Sequence, residues 1–252
     1  MTIIPDWKAR AVTTSFSDRH KCQGDMKKPK KICSLLTLGR LEYEDTWKIQ
    51  QETAAARRRG DTCDTLILVE HNHTITVGRA GSERNILASG KTLLEQGVKV
   101  IEVDRGGDVT YHGPGQIVGY PILDLKGYGQ DLHRYIRLLE EVIIKTLACY
   151  GLKGYREPGL TGVWTAAGKI AAIGIGARSW VSMHGFALNV NPDMRYFGLI
   201  NPCGITDRPV VSLHGLGIEA GLEEVAACLA RQFAAVFAVT YRPGRVERRL
   251  VT

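Results

Sequence analysis

The sequence predicts an α+β fold in a single domain. Three observations carry this. Strand-like runs and helical patterns are mixed without a regular β-α-β-α beat, which argues against a doubly wound sheet. No internal repeat or long linker divides the chain. Its 252 residues, 44% hydrophobic and 23% charged, suffice for one large core.

Residues 1–31 are polar and basic, end in KKPKK, and are expected to form a disordered extension ahead of a domain spanning 32–252. Residues 41–60 read as a helix, with Leu41, Trp47, Ile49 and alanines on one face and Gly60 as its stop. DTLILVE (64–70) and TITVGR (74–79) read as strands. VKVIEVDRGG (98–107) places Val98, Val100, Ile101 and Val103 in a strand-like run that breaks at its glycines. QIVGYPILDL (116–125) is strand-like, with Pro121 pointing to an edge or a bulge. A strong helix is expected over 131–152: Asp131 as N-cap, Leu132, Ile136, Leu139, Val142, Ile143 and Leu147 at three- and four-residue spacing, and Gly151 as stop. Residues 162–177 read as two strands around a turn at 166–168, and 181–191 as another strand. A last helix is expected over 222–238, on Leu222, Val225, Leu229, Phe233 and Val236.

The net charge of +7 sits at the two ends. Residues 1–31 hold eight basic and three acidic residues and 242–252 hold four and one, so the stretch between carries −1. Basic tails of this kind are solvated tails, or help steer an acidic partner, so no nucleic-acid binding is expected. No apolar run reaches 18 residues and the N-terminus has no apolar signal region; a cytoplasmic protein without membrane contact is expected. The six cysteines have neither zinc nor disulfide spacing. Cys149 and Cys228 fall in apolar helical patterns and read as buried. Cys203 sits between a proline and a glycine, where neither helix nor strand continues easily.

Residues 105–116, RGGDVTYHGPGQ, hold four glycines, a histidine and a proline. The stretch matches neither the dinucleotide nor the P-loop glycine pattern, and the only lysine within reach, Lys126, is ten residues past Gln116. Lys169 lies in an otherwise apolar run, GKIAAIGI. A cysteine on a Pro/Gly-bounded loop with a lysine withdrawn from water is a candidate nucleophile and base, since the thiolate is the reactive form of a thiol. An inert cysteine and a lysine reaching to the surface along a sheet edge fit the same spacing. His71 and His73, in EHNHTI, resemble a metal pair but have no evident third ligand, and read as loop histidines near the site. His133 and His214 have no functional case. Arg79 could orient acidic or backbone groups.

RGGDVTYHGPGQIVGYPILDL, GKIAAIGI, HGFALNV and NPCGITD together resemble the lipoyl(octanoyl) transferases of the biotin/lipoate protein ligase superfamily, in order, from about 35 to 240. The resemblance implies a mixed, largely antiparallel sheet flanked by helices, and makes 32–252 the octanoyltransferase domain. It implies movement of an octanoyl group from octanoyl acyl carrier protein to a specific lysine on lipoyl domains of 2-oxoacid dehydrogenase complexes or on glycine cleavage H protein, by a monomer without cofactor or metal. Cys203 matches the nucleophile, which carries the acyl group as a thioester, and Lys169 the acid/base. His112, the Gly185 backbone or the backbone near Cys203 are candidate oxyanion donors, so His112 joins the catalytic set. Arg105, Gly106, Gly107, Asp108, Val109, Thr110 and Tyr111, with Ala172, Ile173 and Gly174 and with His184, Gly185 and Phe186, are expected to form the acyl-binding cavity. Arg105 could also meet the carrier's phosphopantetheine. His184 is expected to support the cysteine loop. Family members commonly carry prolines after the first histidine of the E-H block; here Asn72 and His73 stand there. Two alternatives share the pattern: an ATP-dependent lipoate or biotin-type ligase, which needs no Cys203, and a non-catalytic protein binding acyl carriers or lipoyl domains.

Overall fold

The computed structural model describes residues 31–202 and 208–243. The basic extension to residue 30, Cys203, and the terminal arginines beyond Arg242 lie outside the described residues. The described elements run β1 (Lys31–Leu41), α1 (Tyr43–Arg59), β2 (Asp64–His71), β3 (Thr74–Val77), α2 (Gly90–Glu95), β4 (Lys99–Glu102), β5 (Val109–His112), β6 (Gln116–Ile122), α3 (Leu132–Ala148), β7 (Val163–Thr165), β8 (Gly168–Arg178), β9 (Val181–Asn189), α4 (Leu222–Val236) and β10 (Val239–Pro243).

Among the described residues the main sheet has seven strands in the order β10-β1-β2-β6-β9-β8-β7, and a smaller sheet has the order β4-β3-β5. β1 pairs in parallel with β10 and β2, and β3 with β4; the other ladders are antiparallel. This is the α+β architecture expected from the missing β-α-β-α beat.

The three long helices form where period and punctuation agree. The Asp131 carboxylate accepts from the His133 and Arg134 backbone N–H groups at 2.8 and 3.1 Å, satisfying the open end of α3. Gly60 takes a left-handed φ of 84° to stop α1. α3 and α4 press Leu139, Val142, Leu229 and Phe233 against one face of the main sheet, meeting Leu66, Ile117, Phe186 and Leu188. α1 covers the other face through Tyr43 and Ala54, against Ile67, Val118, Tyr120 and Ala187.

Pro121 does not mark an edge: β6 runs between β2 and β9. Pairing of β6 with β9 ends at Gly119↔Phe186, so the missing proline N–H falls where β9 has left the ladder. The Pro121 carbonyl accepts instead from Ser182 Oγ at 2.8 Å. Cys228 is buried but Cys149 is exposed, because α3 ends at Ala148 and Cys149 caps it. Among the described residues no helix is long and apolar enough to cross a membrane.

Candidate active site

β8 and β9 build the floor of the site. Their ladder pairs Ala172 with Ala187 and Gly174 with Gly185, four residues with almost no side chain. Above them lies a cavity of about 450 Å³, mouth included. Arg105, Gly107, Asp108, Thr110 and His112 line it from the glycine-rich segment, and Ile173, His184 and Phe186 complete the expected set at its wall. Gly106 closes the roof: its N–H donates to the Ile175 carbonyl at 2.7 Å. A Cβ on Gly174 would come within 2.8 Å of the Gly106 carbonyl, so here roof and floor touch. Val109 is not a wall residue. It is fully buried in the core of the small sheet, with Ile75, Val77 and Ile200.

A second cavity, of about 320 Å³, adjoins the first through Thr110, Ala172 and Ala187. Lys169, Tyr111, Gln116, Phe197 and Pro202 line it. Lys169 is only 6% exposed. Its Nζ stands 5.4 Å from the centroid of the Trp164 ring. Its backbone is zipped to the strand-like segment after the undescribed stretch: Lys169 N–H donates to Pro209 O and Val211 N–H to Lys169 O, both at 2.9 Å. Behind Lys169, a Cβ on Gly162 would lie 2.8 Å from its Cε. Gly162 is held by the fully buried Glu140, whose Oε1 accepts the Gly162 N–H at 3.3 Å. Arg137 and Arg156 pair with Glu140 Oε2 at 2.7 and 3.1 Å, balancing its charge.

Pro202 reaches this wall through the turn Met194–Leu199. His73 stacks on Tyr196 at 4.0 Å and 13°, Tyr111 stacks on Tyr196 at 5.3 Å, and His73 Nδ1 meets the Tyr111 hydroxyl at 2.7 Å. Asn201 N–H then donates to Asn85 O at 2.8 Å. Residues 194–201 are thereby clamped to the small sheet, whose β3 begins right after His73.

The polar wall of the first cavity is histidine-rich. His71 ends β2 rather than lying in a loop. Its Nδ1 is 3.1 Å from the Leu41 carbonyl and therefore carries the proton; Nε2 accepts from the Tyr120 hydroxyl at 2.8 Å. Burial pushes its pKa down to about 4. Burial, the neighbouring His71 and Arg105 hold His112 well below the ordinary histidine range. The Tyr43 ring stacks on it at 5.8 Å. His184 adopts a left-handed φ of 57°, which breaks the alternation of β9 and turns its ring to α1. Its N–H donates to Gln50 Oε1 at 2.9 Å and its Nε2 is 2.7 Å from Asp104 Oδ1. His184 thus ties α1 and Asp104 to the slot. Its hydrogen bonds among the described residues run to these groups. The buried Arg105 guanidinium donates to Thr76 O at 2.8 Å and Gly106 O at 3.1 Å, fixing the roof. The Arg79 side chain is exposed, and its backbone N–H donates to the Arg105 carbonyl at 3.0 Å.

Sequence reasoning did not single out Tyr43, Tyr120, Gln116 or Glu140. An aromatic on a helix or strand reads as core, and a glutamate on a helix as surface. Among the described residues no group of three or more His, Cys, Asp or Glu could hold a metal ion.

Residues 42–234 match the family model of the lipoyl protein ligase A/B catalytic domain. The chain belongs to that family. Within it, the chain is similar to the octanoyltransferase of Solibacter usitatus (strain Ellin6076), 49% identical over 212 residues that cover 84% of this chain and 96% of the relative. It is also 51% identical to the octanoyltransferase of Chloroflexus aurantiacus (strain ATCC 29366 / DSM 635 / J-10-fl) over 209 residues, 81% of this chain and 94% of that one. Octanoyl transfer in protein lipoylation is therefore its activity. The fold is shared with lipoate-protein ligase A bound with ATP (TM-score 0.69, 17% identity, 84% of this chain and 87% of that one) and with the lipoic-acid-bound putative lipoate protein ligase Ta0514 of T. acidophilum (TM-score 0.66, 15% identity, 84% and 88%).

Proposed function

We propose that the octanoyl group travels from octanoyl acyl carrier protein to a lysine of a lipoyl domain, or of glycine cleavage H protein, by way of a thioester on Cys203. Lys169 moves the protons. One observation supports this reading above others. Both chain neighbours of the stretch that holds Cys203 abut Lys169, with Pro202 in its cavity wall and Pro209–Val211 bonded to its backbone.

The steps balance with these two groups. Lys169 takes the Cys203 proton, and the thiolate attacks the carrier's thioester carbonyl. The carrier thiolate leaves and takes the proton back from Lys169. The two thioesters are close in energy, so loading is reversible. The acceptor lysine arrives as an ammonium. Lys169 relieves it of one proton, the free amine attacks, Cys203 departs as a thiol with the amine's second proton, and Lys169 passes its proton to solvent before the next cycle. The amide product makes this half-reaction downhill. The acyl chain lies over the Gly/Ala floor, where each buried methylene contributes about 0.8 kcal/mol. His112 belongs to the polar wall beside the reacting carbonyl. The enzyme works as a monomer in the cytoplasm.

The test is octanoyl transfer from octanoyl acyl carrier protein to an apo lipoyl domain with no nucleotide present. Full transfer without ATP is expected, and octanoate with ATP should release no AMP or pyrophosphate. Transfer that requires ATP would assign the chain to adenylating ligases instead.

A further inference from the structure

Asp108 lines the first cavity, yet both oxygens of its carboxylate are committed to a neighbouring loop. Oδ1 accepts the Ser82 backbone N–H at 3.1 Å, and Oδ2 accepts from the Asn85 side-chain amide. The carboxylate thus grips both ends of the turn at Glu83–Asn85. Backbone bonds hold the same loop to the roof: Gly78 N–H donates to Asp108 O and Ala80 N–H to Gly107 O, both at 3.2 Å. Beyond the turn the chain pairs with the segment ahead of Cys203. Asn201 N–H donates to Asn85 O and Leu87 N–H to Leu199 O, both at 2.8 Å, around a bridge between Ile86 and Ile200. Ile200 is buried, and Ile86 packs against the same small core. Pro202, the next residue, lines the cavity that holds Lys169, and Cys203 follows it in the sequence. One carboxylate therefore stands between the roof of the first cavity and a wall of the second. Bonds to a charged acceptor are roughly twice as strong as neutral ones.

We propose that Asp108 is a positioning residue: through Asn85 it holds Leu199–Pro202, and with them a wall of the Lys169 cavity, in register with the acyl slot. Its carboxylate takes no part in binding the acyl chain. The step from this register to turnover rests on the thioester mechanism proposed above, because Pro202 leads directly into Cys203.

Exchanging the two side-chain types tests this in the full chain. Asn85→Asp sets two carboxylates against each other. It should lower kcat for octanoyl transfer by roughly ten- to a hundredfold, the range for a small misplacement of reacting groups. KM for octanoyl acyl carrier protein and the chain-length preference should not change. The Leu87 and Asn201 amides should exchange with solvent about tenfold faster, while those of α3 and α4 keep their rates. Adding Asp108→Asn should restore rate and protection to within about twofold, since the amide at position 108 can accept from Ser82 and donate to the carboxylate at 85. A folded Asn85→Asp protein with unchanged kcat would overturn the proposal. So would a loss that Asp108→Asn does not relieve, or a shifted chain-length preference, which would return the carboxylate to the slot. If Asn85→Asp does not fold, Asn85→Ala and Asp108→Ala decide. Their double variant should lose no more than Asp108→Ala alone, and fully additive losses would overturn the proposal. If the unaltered protein transfers octanoyl without any thioester while this pattern holds, the mechanism fails and the assignment of Asp108 stands.

Discussion

The two faces of the β8–β9 ladder share their hydrogen bonds and little else. Toward α3 and α4, Ala171 pairs with Leu188 and Ile173 with Phe186, and Phe186 and Leu188 are buried in the main core. Toward α1, the alternate pairs are Ala172 with Ala187 and Gly174 with Gly185. One face is filled to interior density and the other is left bare beneath a roof of Arg105–Gly107. The filled face supplies stability, and the bare face leaves open volume, where we place the hydrocarbon chain. The polar groups of the slot enter from its walls, and Lys169 lines the adjoining cavity.

The largest break in this comparison is in that cavity. Lys169→Met should reduce transfer to a lipoyl-domain lysine by roughly 10²–10⁴-fold, the range for loss of a positioned acid/base. The fold should persist, since the methionine can lie along Trp164. Turnover within tenfold of the unaltered enzyme would assign the protons to another group. On the filled face, Phe186→Ala should cost about 3–5 kcal/mol in denaturant unfolding. Phe186 also reaches the wall of the first cavity, so the variant that remains folded should accept longer acyl chains. An unchanged chain-length preference would mean that Phe186 serves the core alone.

A third prediction concerns pH and the slot wall. His71 is neutral in the fold, with its pKa pushed down to about 4, against an unfolded value near 6.5. Between these values the unfolded chain binds the extra proton. Stability should therefore be intact above about pH 6.5 and fall as pH drops toward 4, by about 3 kcal/mol from this residue. His71→Gln should flatten that part of the stability–pH curve, and an unchanged slope would place the titration elsewhere. The smallest effect is on the bare face. Ala187→Val should alter stability little but shift preference to shorter acyl donors, by roughly fourfold in kcat/KM per methylene excluded, from about 0.8 kcal/mol each. Competition among acyl carrier thioesters of different length reads this, and an unshifted profile would move the acyl chain off the Ala172–Ala187 floor.

Legibility followed locality. α1, α3 and α4 were readable because their apolar spacing and caps are contained in one stretch. β5 has four residues among glycines, and α2 has six with one buried side chain, Leu93, so neither leaves a period to detect. β1 was missed because its parallel register exposes residues irregularly, and its end at Leu41 abuts α1 and reads as part of that helix. The short edge strand β10 follows α4 with only two residues between. In the site, the quoted blocks pointed to the floor, the roof and Lys169. They could not reveal that Tyr43 and Tyr120 close the slot, because those contacts join α1 and β6 across the fold. Nor could they give Glu140 its place behind Gly162, since a charge bracketed by two arginines is written in sequence like any solvated helix face. Val109 went the other way: it lies inside the resemblance but faces the small core, as strand alternation beside Thr110 requires.

Intact-mass analysis of the full chain after exposure to octanoyl acyl carrier protein tests the account most directly. It should gain the mass of one octanoyl group, lose it to hydroxylamine, pass it to an added apo lipoyl domain, and never acquire it as Cys203→Ala. An adduct that persists in Cys203→Ala, or rapid transfer with no adduct at any time, would contradict the thioester and with it the role given to the lysine beside the bare-floored slot.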